Sequence, residues 1–259
     1  MAPEAEALIT IEGLAAGYDG EAILENVSFS IYKGEVFVIL GESGCGKSTL
    51  LKQVLGLYKP AAGSVRIKGV DIVGADEAEL TRLRLNLGML FQSGALFGSM
   101  TLFENVALAL VEHTDLPVSV IKDIVKMKLA LVNLAGFDNH LPAELSGGMK
   151  KRAAIARAMA LDPEILFLDE PSAGLDPITS AEIDNLMRSI NKGMGTTLVM
   201  VTQELESVFS IADRCIMLDK QARGIIAEGE PGYLKEHSTD ERVINFFNRR
   251  VPGAKKAEG

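Results

Sequence analysis

The chain has 259 residues, 47% apolar and 24% charged, enough to bury a core in one large domain or two small ones. Its 26 basic residues against 35 acidic ones give a net charge of −9, which argues against a nucleic-acid backbone as the main partner, since that needs clustered cations. There is no uninterrupted apolar run of the roughly 18 residues a membrane span needs, the opening MAPEAEALIT lacks the features of a secretion signal, and two cysteines, Cys45 and Cys215, cannot form a disulfide framework, so a reducing cytosol is expected.

The opening ALITIEGLAAGY alternates as a strand does. ENVSFSIYKGEVFVIL then predicts an alternating strand, a turn at Lys33-Gly34 and a fully apolar strand over Val36 to Leu40. Directly behind that strand stands GESGCGKSTLLKQVLGL. Gly41, Gly46, Lys47 and Ser48 satisfy G-x-x-x-x-G-K-[ST] in its required context of strand, glycine loop and helix. Glycines let backbone N–H groups curl around phosphate oxygens, so Ser43, Gly44, Cys45 and Thr49 belong to the same expected cradle. Lys47 would reach the β- and γ-phosphates, Ser48 would ligate Mg²⁺, and the helix starting near Lys47 would turn its positive end to the anion. Leu50, Leu51, Val54 and Leu55 give that helix a buried face, and it must stop before Pro60.

GSVRIKGVDI alternates Val65 and Ile67 with Arg66 and Lys68, a half-exposed antiparallel strand with a turn at Gly69. From about Ser93 to Leu161 the pattern becomes helical; Val120, Ile124, Met127 and Leu131 form one stripe whose default reading is packing. At Leu145-Ser146-Gly147-Gly148 a second glycine-rich turn opens a helix, 24 residues before Asp169. One helix N-terminus already serves the phosphates, so this one makes sense if it closes over nucleotide held by another copy. The basic runs Lys150-Lys151-Arg152, Arg249-Arg250 and Lys255-Lys256 read as solvated faces or tails. EILFLDEP is a buried strand delivering two carboxylates: Asp169 to hold the Mg²⁺ shell, Glu170 to polarise the attacking water. A helix over roughly Ser180 to Asn191 separates it from a further buried strand, TTLVMVT. Strands alternating with helices imply a parallel sheet, and Gln203 should sit where the last strand emerges into a loop. Ser238 can cap a helix beginning at Thr239-Asp240-Glu241, with Val243, Ile244, Phe246 and Phe247 on or near one face.

Over residues 8 to 250 the chain resembles the ATP-binding subunit of ABC transporters. LSGGMKKR matches the signature motif, LDEP the magnesium and base motif, and Ala173-Gly174-Leu175-Asp176 the loop that crosses the dimer. Tyr18 matches the aromatic that stacks on adenine, the lesser alternative for it alone being a core tyrosine. Gln92 matches a glutamine that touches Mg²⁺ and senses the membrane partner, although alone it could be a plain surface residue. The resemblance implies an α/β P-loop ATPase with a mainly parallel sheet, an N-terminal antiparallel β subdomain and an inserted helical subdomain at about 93–161. Residues 1–250 would form a single domain and 251–259 a loose tail. It implies ATP and Mg²⁺ as ligands, with Ser146, Gly147, Gly148 and Asp176 at a nucleotide shared in a homodimer.

MLFQSGALFGSMTLFENVAL, VEHTDLP and STDERVINFF are further similar to ATPases of Mla-type systems, which move phospholipids between bacterial membranes. That likeness implies peripheral attachment to the cytoplasmic face of the inner membrane, beneath an integral permease, with a STAS-domain and an MCE-domain protein in the full complex. Ala95, Leu96, Phe97, Met100, Leu102 and Phe103 are expected to form the permease groove, the alternative being packing under the helices. Gln203 stands where the family usually has a histidine that bonds the γ-phosphate. A slow ATPase is expected, with a solute-transporter subunit or a nucleotide-gated switch as alternatives.

Overall fold

The computed structural model describes residues 6–18 and 21–250, which fall into two compact units. One is built from Ala7–Ile31, Val36–Val73 and the chain from Val201 onward; the other contains Gly74–Met200 and Tyr32–Glu35.

In the first unit β1 (Ala7–Tyr18), β2 (Glu21–Tyr32), β4 (Ala62–Ile67) and β5 (Val70–Asp71) form a sheet in the order β2-β1-β4-β5. β1–β4 and β4–β5 pair antiparallel, and the expected alternation holds: Val65 and Ile67 are buried while Arg66 is exposed. Between β2 and β4 run β3 (Val36–Gly41), buried at every residue, and α1 (Lys47–Val54). Leu50, Leu51 and Val54 of α1 are buried as expected, whereas Leu55 caps the helix half-exposed.

The second unit opens with α2 (Glu77–Arg84), capped by Asp76, and β6 (Leu87–Leu90). Three helices follow inside the expected interval: α3 (Leu102–His113), α4 (Val118–Leu131) and α5 (Gly147–Ala158). Then come β7 (Ile165–Asp169), α6 (Pro177–Met194) and β8 (Thr197–Val201), with strand order β8-β7-β6 and β6 parallel to β7. α6 is longer than its apolar periodicity predicts, because Asp176 caps it, Pro177 supplies its first turn and Gly195 ends it in the left-handed conformation.

The expected packing stripe on α4 is wrong by one residue. The buried positions are Ile121, Val125, Lys128 and Leu129, while Val120 and Met127 are exposed at 39% and 59%. Both stripes have helical spacing; the true one was masked by Lys128, a buried lysine whose ammonium pairs with Asp162.

Back in the first unit, α7 (Leu205–Ile211) leads to β9 (Arg214–Asp219), β10 (Gly224–Gly229), α8 (Pro231–His237) and α9 (Glu241–Phe247). The order is β10-β9-β3, with β9 parallel to β3 and antiparallel to β10. α9 exists where expected, but its cap is Asp240, whose carboxylate accepts from Arg242 N–H; Ser238 instead ends α8. Val243 and Phe247 are buried, with Phe247 packing against Phe209 of α7, while Ile244 and Phe246 are half-exposed. Arg249, expected on a solvated face, is exposed and paired with Glu206; the tail 251–259, with Lys255-Lys256, lies outside the described residues.

Candidate functional site

The loop from Gly41 to Gly46 is shaped for an anion. Gly41 has φ +144°, and a Cβ there would come within 2.5 Å of the Leu218 carbonyl oxygen and 2.6 Å of Cys45 Sγ. Gly44 and Gly46 also have positive φ, 78° and 103°, with open space where a Gly44 side chain would stand. Such a backbone can turn N–H groups inward without side chains intervening. Lys47 is 7% exposed, and its ammonium donates to the Gly41 and Glu42 carbonyls at 2.8 and 3.0 Å. Two of three ammonium donors therefore brace the loop, and a third can be turned to a phosphate oxygen. Ser48 and Thr49 lie in the first turn of α1, where the helix dipole favours negative charge. Ser43 is exposed at the rim.

Cys45 is buried in this loop as a free thiol; burial raises its pKa, with the nearby Lys47 charge opposing. Cys215 is likewise free and buried, its thiol pushed up to about 12 chiefly by desolvation.

Gln203 lies exposed in the loop between β8 and α7, where the strand end was expected to deliver it. The preceding N–H, of Thr202, donates to the Ile39 carbonyl at 3.3 Å, so Gln203 leaves its strand level with the last residues of β3. Tyr18 is the final residue of β1.

In the other unit the remaining candidates form two groups. Asp169 ends β7 and Glu170 follows it, exposed at only 7% and 8%. Glu170 has φ +48°, a left-handed conformation uncommon for a residue with a side chain. Gln92 is exposed, just past β6. The ammonium of Lys151 joins these positions, donating to the Gln92 carbonyl at 2.7 Å and the Glu170 carbonyl at 3.0 Å. Lys151 is 8% exposed, so the basic run around it is not wholly solvated: Lys150 is exposed, Lys151 is buried, and Arg152 pairs with Glu182. A signal was available, since Lys151 falls three residues after Gly148 and four before Ile155, both buried on α5.

The second group is the N-terminus of α5. Ser146 caps it, its hydroxyl accepting from Met149 N–H at 3.3 Å. Ser146 and Gly147 are exposed, while Gly148 is buried with Thr179 Cγ2 2.6 Å from where its Cβ would stand. Thr179 in turn bonds Asp176, whose carboxylate caps α6 through the N–H groups of Ile178 and Thr179, both at 3.1 Å. The Thr179 hydroxyl foremost, then its N–H, lowers the Asp176 pKa.

The expected docking segment is exposed in part. Phe97 is 48% exposed, Ala95 exposed, and Leu96, Met100 and Phe103 intermediate; Leu102 is fully buried and belongs to the core. Two side chains brace this turn. Buried Asn105 donates to the carbonyls of Phe97, Met100 and Thr101 and accepts from Phe97 N–H at 2.8 Å. Arg157 donates to the carbonyls of Gly94 and Ala95 and lies 6.0 Å from the Phe97 ring. Beside the turn is a cavity of about 360 Å³ lined by Met89, Phe97, Leu108 and Arg157. Among the described residues no helix is long and apolar enough to cross a membrane.

Residues 24–173 match the family model described as ABC transporter. The chain is 45% identical to the "probable ribonucleotide transport ATP-binding protein mkl" of Mycobacterium tuberculosis, over 94% of this chain and 67% of that protein. It is 41% identical to the intermembrane phospholipid transport system ATP-binding protein MlaF of Haemophilus influenzae, over 95% of this chain and 92% of that one. Among solved structures, a dimeric ATP-binding cassette in a post-hydrolysis state bound to ADP and Pi superposes with a TM-score of 0.78 at 32% identity, covering 86% of this chain and 98% of that one. The cbiO1 subunit of a cbiONQ ABC transporter complex from Clostridium perfringens gives 0.81 at 30% identity, covering 96% and 97%.

Proposed function

The chain belongs to the ABC transporter family, and on that premise we propose that it is the ATP-hydrolysing subunit of a bacterial transporter that moves phospholipid between membranes. The chain binds and hydrolyses ATP, and cassettes of this family dimerise and couple to membrane permeases. The observation that carries the chemistry is the β3–α1 loop, whose glycine backbone and internally braced Lys47 fit a polyphosphate.

In the proposed reaction Lys47 and the N–H groups of the loop, from Gly41 through Ser43, Gly44, Cys45 and Gly46 to Ser48 and Thr49, hold the phosphates. Tyr18 stacks on the adenine. Ser48, Gln92 and Asp169 would hold Mg²⁺, which would supply positive charge to offset that of the phosphates. Glu170 accepts a proton from water as its oxygen attacks the γ-phosphorus and the bond to the ADP oxygen breaks. Gln203 donates an amide N–H to a γ-phosphate oxygen. Ser146, Gly147 and Gly148 of a second copy close over the nucleotide, and Asp176 lies on the loop that crosses the homodimer. Residues 1–250 act as one cassette, with the helical insertion at about 93–161.

The partner that fits best is an integral permease docking a helix against Leu96, Phe97 and Met100 at the braced turn. Docked there, the protein would lie on the cytoplasmic face of the inner membrane. STAS-domain and MCE-domain proteins complete the proposed complex. The likeness to MlaF over 92% of its length supports phospholipid as the cargo. A second reading, ribonucleotide transport, is favoured by the name and 45% identity of the mycobacterial relative.

Gln203 cannot carry an imidazolium charge. Losing charge assistance from one hydrogen bond is worth about 1–2 kcal/mol, a roughly 5- to 30-fold slower step. Turnover with the permease present should rank Gln203→His above the parent and the parent above Gln203→Ala, with similar ATP affinity in all three, and Glu170→Gln should turn over least. A parent no faster than Gln203→Ala would favour a nucleotide-gated switch. Reconstituted into liposomes, the complex should show ATP-dependent transfer of labelled phospholipid; transfer of labelled ribonucleotide alone would replace the cargo assignment.

A further inference from the structure

The turn at Gln92 and the backbone of Glu170 are held by one buried cation on the helix that begins at Ser146-Gly147-Gly148. We infer that Lys151 is a positioning residue: it fixes the carbonyls of Gln92 and Glu170 relative to each other, so that the placement of the turn sets the placement of the Glu170 carboxylate. The inference rests on the ATPase reading above and adds to it a part that neither the phosphate loop nor the carboxylates supply.

Three observations carry it. First, Lys151 is almost fully buried, and its ammonium donates at 2.7 and 3.0 Å to these two carbonyls, 59 and 19 residues away in the chain. A desolvated ammonium needs strong acceptors, and peptide carbonyls around such a charge are held correspondingly tightly. Second, Glu170 is a non-glycine residue at φ +48°, a conformation that persists only when its surroundings over-determine it. Its carbonyl receives Lys151 on one side and the Ala173 N–H, at 3.3 Å, on the other. Third, Arg157, six residues further along α5, donates to the Gly94 and Ala95 carbonyls. One helix therefore anchors the 92–95 backbone at three carbonyls, and its first basic anchor also reaches Glu170. A shift of the turn that carries Phe97 must move against this helix, and Lys151 passes the strain to the residue that activates water.

The test is a series at one position, Lys151→Arg, Lys151→Gln and Lys151→Met, in the full-length protein with Mg²⁺ and ATP, reading kcat, KM for ATP and thermal midpoint. Arg keeps charge and donors, Gln keeps two donors without charge, and Met keeps only the apolar stem. We expect kcat to fall in the order Lys, Arg, Gln, Met, by tenfold or more at Met, with KM within twofold throughout. Lys128→Met is the control: it removes another buried lysine of the same unit, paired with Asp162 on the surface, and should lower the midpoint while leaving kcat within twofold. Should Lys151→Met not fold, the order of Lys, Arg and Gln still decides. A series flat in kcat, a fall that follows the thermal midpoint or KM instead of the donor set, or an equal loss of kcat in Lys128→Met would each overturn the inference. Failure of the ATPase reading looks different: the parent itself would show no turnover that Glu170→Gln removes.

Discussion

Gly148 should tolerate no side chain while Thr179 keeps its methyl group. An ideal Cβ at 148 would lie 2.6 Å from Thr179 Cγ2, closer than real Cβ atoms come to any neighbour. Thr179 cannot easily rotate away, because its hydroxyl bonds the Asp176 carboxylate and its N–H is capped by the same group. Forcing a methylene into such a contact costs about 1–3 kcal/mol. Replacing glycine in a helix recovers up to about 1 kcal/mol of backbone entropy, less in the first turn. Gly148→Ala should therefore destabilise by about 1–2 kcal/mol, a shift of roughly 2–8 °C in the thermal midpoint of a chain this size. Thr179→Ser removes only the offending methyl and keeps the hydroxyl for Asp176. In that background Gly148→Ala should be neutral or slightly stabilising, giving a coupling of about 1 kcal/mol or more in the double-mutant cycle. Thermal and urea unfolding of the four proteins measures it. Equal effects of Gly148→Ala in the two backgrounds would show that the methyl contact is not what reserves this position for glycine.

Two further outcomes follow from surface features. Phe97 is 48% exposed, so Phe97→Asp should move the thermal midpoint of the isolated protein by no more than about 2 °C, in line with roughly 0.5 kcal/mol for surface changes, yet release the permease in mild-detergent co-purification. Retention of the permease would remove the docking assignment. Asp240 has its pKa lowered to about 2, first by the side-chain bond from Arg242. A depressed carboxylate stabilises the fold fully above its unfolded value of about 3.9 and loses that contribution as pH falls toward 2. Asn caps nearly as well as Asp. The stability gap between the parent and Asp240→Asn should therefore be small at pH 7, given the exposure of the pair, and close on acidification below about 4; a gap that widens there would contradict the assigned bond.

Residues whose chemistry fixes their backbone were the legible ones. The glycine loop, the apolar strand before it, the LDE strand end and the glycine-opened helix at Ser146 all stand where their patterns predict, because each pattern encodes a local constraint such as positive φ, burial or a free helix terminus. What escaped depended on distant partners. The buried face of α4 was missed because it contains Lys128, which looks solvent-directed until Asp162 closes over it. β6, a four-residue strand whose one buried side chain is Leu90, carries too short an alternation to separate from the helical stretch behind it. Asp240 rather than Ser238 caps α9 because the Ser238 hydroxyl is taken up by the Asp240 N–H.

Lys151 is the most instructive of these. In sequence it is the middle of a basic run, and a basic run is ordinarily a solvated face. In the fold it lies on the inner side of α5 with Gly148 and Ile155, and its ammonium donates to the Gln92 and Glu170 carbonyls. Burying an ammonium without compensation is among the most costly substitutions a core can carry, and an apolar residue at the same position would pack at no such cost. A buried cation therefore marks a place where the backbone needs holding more than the core needs filling. Here the backbone held is that of Glu170, in a conformation that L side chains rarely adopt, at the end of a strand whose five residues are all buried. The strand fixes where the carboxylate starts, and the left-handed residue turns the chain sharply behind it. The Ala173 N–H holds the Glu170 carbonyl from within the same turn, at 3.3 Å, and a contact from outside the turn ties its direction to the rest of the unit. α5, through Lys151, makes that contact from the helix whose first residues are proposed to close over the nucleotide of a second copy.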